Sequence, residues 1–343
     1  MKHLLNTLFV TTQGAYLCRE GETVCVRVEH EDRLRVPIHT LGGIVCFGQV
    51  SCSPPLMELC GERQVLISFH SEHGKFLGRV CGPVSGNVLL RREQYRRADD
   101  IAGSAVIAKA IVTAKAANCR TVLQRAARDH AGNTDDNALA AAAAELNRIA
   151  GTVAQEKSLD ALRGREGDAA RAYFSVFDHL IVAQKQDFAF HERSRRPPLD
   201  SINALLSFLY AMLAHDCTSA LESVGLDPAV GFLHRDRPGR PSLALDLMEE
   251  FRPVMADRVA LSLVNMQQVR GSGFTKSETG AVVMDDKTRK EVLVAWQKRK
   301  AEEVQHPFLG ETVAVGLLPY AQALLLARHL RGDLDGYPPY IWR

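Results

Sequence analysis

The chain has almost no surplus charge. Its 42 Lys and Arg stand against 40 Asp and Glu, a formal net charge of +2 over 343 residues. Global charge therefore predicts no polyanionic partner, and a nucleic-acid surface would have to come from local clustering. Nor is there a C-x-x-C pair among its eight cysteines, Cys18, Cys25, Cys46, Cys52, Cys60, Cys81, Cys119 and Cys217. That argues against a zinc knuckle or a thioredoxin-type dithiol. An even cysteine count signals disulfides only in short secreted chains. The sequence lacks a run of about 18 apolar residues, so nothing is expected to span a membrane. Met1 to Val10 has a lysine and some leucines but no long apolar core and no small-residue cleavage site, so no signal peptide is read. No P-loop and no internal repeat is present. These absences leave a cytoplasmic protein with free, mostly buried thiols.

What is present is ordinary globular material, 46% hydrophobic and 24% charged, which excludes a disordered chain. The length suits two domains. The predicted class is α+β: a small N-terminal β domain over residues 1–92, then a larger all-α domain over residues 93–343. Residues 4–10, 23–28, 41–47 and 64–69 are β-rich, and Thr23-Val24-Cys25-Val26-Arg27-Val28 alternates with period two as a half-buried strand does. Gly14, Gly21, Gly48, Gly61 and Gly74 punctuate these runs, and Pro54-Pro55 opens a short helix. The character changes near Arg91–Arg97, after which alanine and leucine dominate. Helices are predicted over 101–128, 138–150, 168–179, 202–224, 242–257, 286–303 and 312–330, with a turn over 133–137.

The densest site candidate is G-F-L-H-R-D-R-P-G-R-P-S-L-A-L-D-L-M-E-E-F-R-P, residues 231–253. His234 ends an apolar triplet, and Ser242 is a plausible N-cap for the following helix. Leu243, Leu247, Phe251 and Val254 form one apolar helix face. Asp246 and Glu249 are three residues apart and Asp246 and Glu250 four, so these carboxylates are neighbours on an adjacent face. Neighbouring carboxylates repel unless something positive sits between them. A divalent metal resolves that repulsion, and carboxylates with one imidazole suit Mn²⁺ or Mg²⁺. The bland alternative is a solvated acidic face partnered by Arg252 or Arg258.

A second candidate is Arg163-Gly164-Arg165-Glu166-Gly167-Asp168, whose glycines let the backbone approach another group closely. Its alternative is a helix N-terminal turn, where acidic residues are favoured by the dipole. The third candidate is clustered positive charge: Arg91, Arg92, Arg96 and Arg97; Arg193, Arg195 and Arg196; Arg235, Arg237 and Arg240; and Lys287, Arg289, Lys290, Lys298, Arg299 and Lys300 on a late helix. Arginine forks grip phosphate, and arginines around a carboxylate site favour a phosphodiester substrate. A charge run is more commonly just a solvated face.

Taken in order, R-G-x-E-G, P-P-L-D-S-I-N-A-L-L-S-F-L-Y-A-M-L, G-F-L-H and S-L-A-L-D-L-M-E-E-F-R-P closely resemble the CRISPR-associated integrase family, Cas-one. So does the opening L-L-N-T-L-F-V-T with P-I-H-T-L-G-G-I-V-C-F-G, which looks most like the type I-C branch. The resemblance covers nearly the whole chain. It implies a homodimer formed largely through the N-terminal halves. It also implies assembly with the small partner Cas-two to insert short foreign DNA into a CRISPR array, with a Cas-four nuclease as a further candidate partner. Glu166 falls on the family's first carboxylate metal ligand, His234 on its histidine ligand, and the last acidic ligand on D-L-M-E. There Glu249 is favoured as the direct ligand, with Asp246 as its supporting or alternative residue.

The expected catalytic set is thus Glu166, His234, Asp246 and Glu249, holding Mn²⁺ or Mg²⁺ through Glu166, His234 and Glu249. A DNA 3′-hydroxyl would attack a phosphodiester at the repeat boundary, and water in its place would give nuclease activity. Arg193, Arg195, Arg196, Arg235, Arg237, Arg240 and Lys276 would grip the DNA backbone. Asn203 and Tyr210 are expected near the site, although a helix-start role and a core role fit them equally. Two other readings stand beside this one. A general structure-specific repair nuclease would cut branched DNA without joining. A non-catalytic DNA-binding scaffold would be indifferent to loss of Glu166 or His234.

Overall fold

The computed structural model describes residues 5–342 except 73, 81, 83–87, 131, 133 and 157. The N-terminal part contains β1 (Asn6–Val10), β2 (Tyr16–Glu20), β3 (Thr23–Val28), β4 (Glu31–Pro37), β5 (Leu41–Phe47), β6 (Ser51–Cys52), α1 (Pro54–Glu62), β7 (Leu66–His70) and β8 (Phe76–Val80). They form two four-stranded sheets, ordered β1-β5-β7-β8 and β4-β3-β2-β6. β5 runs parallel to both its neighbours. A central parallel strand is covered on both faces, which is why Ile44-Val45-Cys46-Phe47 reads as a continuous apolar run. Ile44 and Cys46 join a core with Leu17, Val24, Leu56 and Ile67, while Val45 and Phe47 belong to the core of the helical part. Phe47 stacks on Phe208 at 5.6 Å. The unpredicted β4 returns from β3 through Glu29 and His30, both at positive φ (54° and 68°), the pairing of a type I′ turn.

The helical part contains α2 (Val88–Asp99), α3 (Ile101–Asp129), α4 (Asp136–Val153), α5 (Leu159–Phe174), α6 (Ser201–Ser223), α7 (Ser242–Phe251), α8 (Arg258–Asn265), β9 (Phe274–Lys276), β10 (Val282–Met284), α9 (Asp286–Ala301), β11 (Glu303–Gln305), β12 (Thr312–Ala314) and α10 (Leu318–Leu330). The proposed boundary at residue 92 falls inside α2. Side-chain caps from Asp100, Asp135, Ser158, Asp200 and Asp285 start α3, α4, α5, α6 and α9. The 29-residue α3 packs against α4, α5 and α7. Its buried Gly103, Ala105, Ala108, Ala114, Ala116 and Ala117 leave room for close approach.

Several expectations need correcting. The helix predicted over 168–179 begins at Leu159, capped by Ser158, so Glu166 lies mid-helix. Gly164 and Gly167 approach nothing: a Cβ at either would meet open space. Ser242 is not an N-cap; it is the first helical residue, and its hydroxyl donates to Arg235 O at 3.1 Å. The helix predicted over 242–257 runs on to Asn265 through a π-helical segment, Arg252–Asp257, entered at Pro253, which has no N–H for the regular ladder. The helix predicted over 312–330 opens as β12. Two hairpins, β9–β10 and β11–β12, interrupt the otherwise helical half. α6 is long and apolar enough to cross a membrane, yet most of it is buried inside the protein, as befits a core helix. Cys18, Cys25, Cys46, Cys60, Cys119 and Cys217 are buried free thiols and Cys52 is half-buried. Burial pushes Cys46 and Cys60 up to about 12. Cys81 lies outside the described residues.

The segment after α10 folds back onto α3 and α7. Asn118 Nδ2 donates to Glu250 O (2.8 Å) and Tyr340 O (2.9 Å), and its Oδ1 accepts from Trp342 N (2.8 Å). Trp342 lies beneath the guanidiniums of Arg125 and Arg258. The Glu250 carboxylate accepts from Tyr337 Oη (2.6 Å), Tyr340 N (2.7 Å) and Gln322 Nε2 (3.1 Å). Burial nonetheless pushes Glu250 from its ordinary 4.5 up to about 8. Between those values the folded chain keeps a proton that the unfolded chain releases. Stability linked to Glu250 is therefore complete at acid pH and lost as pH rises towards about 8. Thermal melts at pH 5 and pH 8 should show a larger drop for the wild type than for Glu250→Gln, which cannot titrate.

Candidate metal centre

The candidate residues come from three places in the fold. Glu166 projects from α5. Asp246 and Glu249 lie on α7, one turn apart. His234 sits in the loop leading to α7. The structure brings all four into one region.

Asp246 builds the loop around itself. Its Oδ2 accepts from Phe232 N (2.6 Å) and Leu233 N (2.9 Å), and its Oδ1 from His234 N (2.9 Å). Oδ1 also lies 2.6 Å from His234 Nδ1. Asp246 is fully buried, so these bonds replace the water it gave up. Gly231 has a stated reason to be glycine: a Cβ there would stand 2.9 Å from Asp246 Oδ2 and from Ser242. Arg163, in R-G-x-E-G, ties the same loop to α5 by donating to Leu233 O at 2.6 Å. With Nδ1 held by a carboxylate, the neutral imidazole carries its lone pair on Nε2. Nε2 points towards Glu249, 4.0 Å from Oε1.

Glu249 is the unusual carboxylate. Both its oxygens are buried and receive no well-aligned hydrogen bond. Cations face them instead: Arg252 NH1 at 2.5 Å from Oε1 and Lys115 Nζ at 2.8 Å from Oε2. Burial alone would raise the pKa of Glu249, but the Arg252 and Lys115 charges outweigh it and hold it low. Lys115 also bonds Glu166 Oε1. Its ammonium therefore stands between the two carboxylates of α5 and α7.

Among the described residues, no three His, Cys, Asp or Glu side chains converge closely enough to hold a metal as they stand. The donor chemistry still fits one. Two carboxylates already share a cation, Glu249 is poorly hydrogen-bonded, and an oriented imidazole nitrogen faces it. Glu166 keeps about a quarter of its side chain exposed (25%), so the site opens on the α5 side.

Sequence reasoning missed Lys115. The available signal was its position: with Ile107, Ile111, Cys119 and Val122 it lies on the buried stripe of α3, where a lysine needs a partner. Arg252 was anticipated only as the partner of a solvated face, yet that face is buried. Tyr210 reaches the site indirectly. Its hydroxyl donates to Asp257 at 2.7 Å, and Arg252 lies 5.0 Å from its ring. Asn203 is a helix-start residue, its N–H capped by Asp200 and its side chain bonded to Glu192 O and Arg193.

The predicted DNA-contact residues divide. Arg193 is turned inward, onto Asn203 Oδ1 (2.6 Å) and Ser207 Oγ (3.2 Å). Arg235 is exposed but shares Asp160 with Arg163, each at 2.7 Å. Among the described residues, Arg195, Arg196, Arg237, Arg240 and Lys276 enter no ion pair, and all but the half-buried Arg240 are exposed. Burial and the charges of Arg237, Arg163 and Arg196 push Arg240 below its ordinary value, so these guanidiniums share one neighbourhood.

The family described as CRISPR associated protein Cas1 matches residues 8–298. The chain belongs to the Cas1 family. It is 54% identical, over the full length of both chains, to CRISPR-associated endonuclease Cas1 1 of Chlorobaculum tepidum. It is 52% identical, again over all of both chains, to CRISPR-associated endonuclease Cas1 2 of Rhodospirillum rubrum. Its fold matches that of a Cas1 protein from Thermotoga maritima with a TM-score of 0.83 and 24% identity, over 95% of this chain and 97% of that one. A casposase bound to integration product matches with a TM-score of 0.85 and 21% identity, over 99% and 95%. Both solved structures share the strand-rich start and helical remainder.

Replacing Asp246 by Ala would leave three backbone N–H groups and a histidine ring without their acceptor. Stability should fall by on the order of 3 kcal/mol. Denaturant melts measure it, and a loss no larger than that of a surface substitution would contradict this account.

Proposed function

We propose that the chain is a metal-dependent DNA integrase and endonuclease of CRISPR adaptation, joining the 3′-hydroxyl ends of short foreign DNA to a CRISPR repeat by transesterification. Membership of the Cas1 family, with relatives named endonucleases at 52–54% identity, supports the nuclease class. The observation that carries the site is Glu249: buried, short of hydrogen bonds, and faced by cations and by His234 Nε2. In this reading Glu166, His234 and Glu249 hold Mn²⁺ or Mg²⁺. Asp246 spends both oxygens on the loop and the ring, which favours Glu249 over Asp246 as the direct ligand.

A bound divalent ion supplies charge neutralisation at phosphorus and a lowered pKa for the attacking hydroxyl. The protein's own residues do the rest. Asp246 accepts from Nδ1 and leaves Nε2 free to ligate. Arg252 and Lys115 hold Glu249 ionised. Arg195, Arg196, Arg237, Arg240, Arg235 and Lys276 meet backbone phosphates, with Arg235 exchanging Asp160 for a phosphate. Arg193 acts from behind by fixing the loop that carries Arg195 and Arg196. A 3′-oxygen forms a new phosphodiester bond as an existing one breaks, so one bond replaces another and no energy source is needed. Water in place of the hydroxyl gives cleavage.

Residues 1–92 would join two copies as a homodimer, and residues 93–343 would carry the chemistry. Expected partners are double-stranded DNA, the small protein Cas2 and a Cas4 nuclease, in the cytoplasm. A relative in Geobacter sulfurreducens, 36% identical, is named a Cas4/Cas1 fusion. The opening sequence points to the type I-C branch.

The test uses labelled duplexes with 3′-hydroxyl ends and a repeat-bearing plasmid, with Cas2 added, in Mn²⁺ or EDTA. Joining should require Mn²⁺ and fall at least about a hundredfold in His234→Ala. Cleavage without joining would reduce the function to a nuclease. Activity unchanged in His234→Ala would remove the site.

A further inference from the structure

Lys115 has no part in the metal reading above beyond holding Glu249 ionised, yet it is a buried lysine, with 6% of its side chain exposed. It arises from α3, a helix that supplies none of the proposed ligands. Its ammonium contacts Glu166 and lies 2.8 Å from Glu249 Oε2, so it touches two of the three proposed ligands at once. Two carboxylates brought together, one of them fully buried, need a cation between them, and in this structure the protein supplies it.

We propose that Lys115 is a stand-in cation: it holds the Glu166–Glu249 pair together before a divalent ion binds, and it competes with that ion for their oxygens. The inference rests on the metal reading of this site. Its consequence is a divalent affinity set lower than the three ligands alone would give. Removing the ammonium leaves Glu166 and the buried Glu249 without the cation they share, with Arg252 alone still facing Glu249, which destabilises the metal-free protein and strengthens the pull on any ion that arrives. A lysine with a purely structural role would do the first and not the second, because lost packing or misplaced ligands weaken metal binding.

The experiment is a calorimetric Mn²⁺ titration of full-length wild type, Lys115→Met and His234→Ala, with thermal melts in EDTA and in saturating Mn²⁺. Lys115→Met should melt below wild type in EDTA, gain more from Mn²⁺ than wild type does, and bind Mn²⁺ at least about tenfold more tightly. Equal or weaker Mn²⁺ binding by Lys115→Met, with wild-type binding intact and lost in His234→Ala, would overturn the stand-in role alone. No Mn²⁺ binding by wild type, or full binding by His234→Ala, would overturn the metal site and this inference with it. Should Lys115→Met fail to fold without metal, Lys115→Gln is titrated instead and judged by the same tenfold criterion.

Discussion

The helical half is organised around a charge problem. Glu166 and Glu249 come from different helices and share one cation, Glu249 fully buried and Glu166 at the opening of the site, and two carboxylates so placed cannot be left alone. Lys115 and Arg252 answer that charge from α3 and from the π-helical turn after α7. Arg252 reaches Glu249 from one turn along the same helical stretch, but three helices must be in register before Lys115 meets both carboxylates. The small residues along α3 permit the approach, and the carboxylates make it specific, because a slip along any one helix strands a buried charge.

α7 is the element through which this constraint spreads. Successive residues on it face different tasks. Asp246 organises the loop of His234, Glu249 faces the cations, and Glu250 anchors the returning C-terminal segment. All three are buried, although the sequence reads as an acidic and potentially solvated stripe. Burial of a whole acidic helix is affordable only because each carboxyl has a different compensation: backbone N–H groups, cations, or a phenol and an amide.

Much of this was legible in the residues. Spacing alone suggested Asp246 and Glu249 as neighbours, and His234 as their companion across a loop. The parallel strand β5 declared itself by its unbroken apolar run. What escaped reading depended on contacts distant in sequence. Lys115 is separated from Glu249 by most of the helical half, and nothing nearby in the chain marks it except an apolar stripe that a lysine should not occupy. The start of α5 was misplaced because Gly164 and Gly167 look like breakers, whereas the cap at Ser158 and the packing of Leu162, Ala169 and Tyr173 carry the helix through them. β4 was missed because only Arg33-Leu34-Arg35-Val36 alternates, a short stretch between charged residues and a proline, and it has no buried face; pairing with β3 makes it a strand.

Those two glycines have a further effect. On either side of Glu166 the helix presents bare backbone with open space above it. Neither glycine offers a side-chain amide, hydroxyl or ring with which to read a base. In the proposed integrase, those two positions would add nothing to sequence preference. An integrase that takes up fragments of differing sequence, as proposed, would gain from bare backbone there.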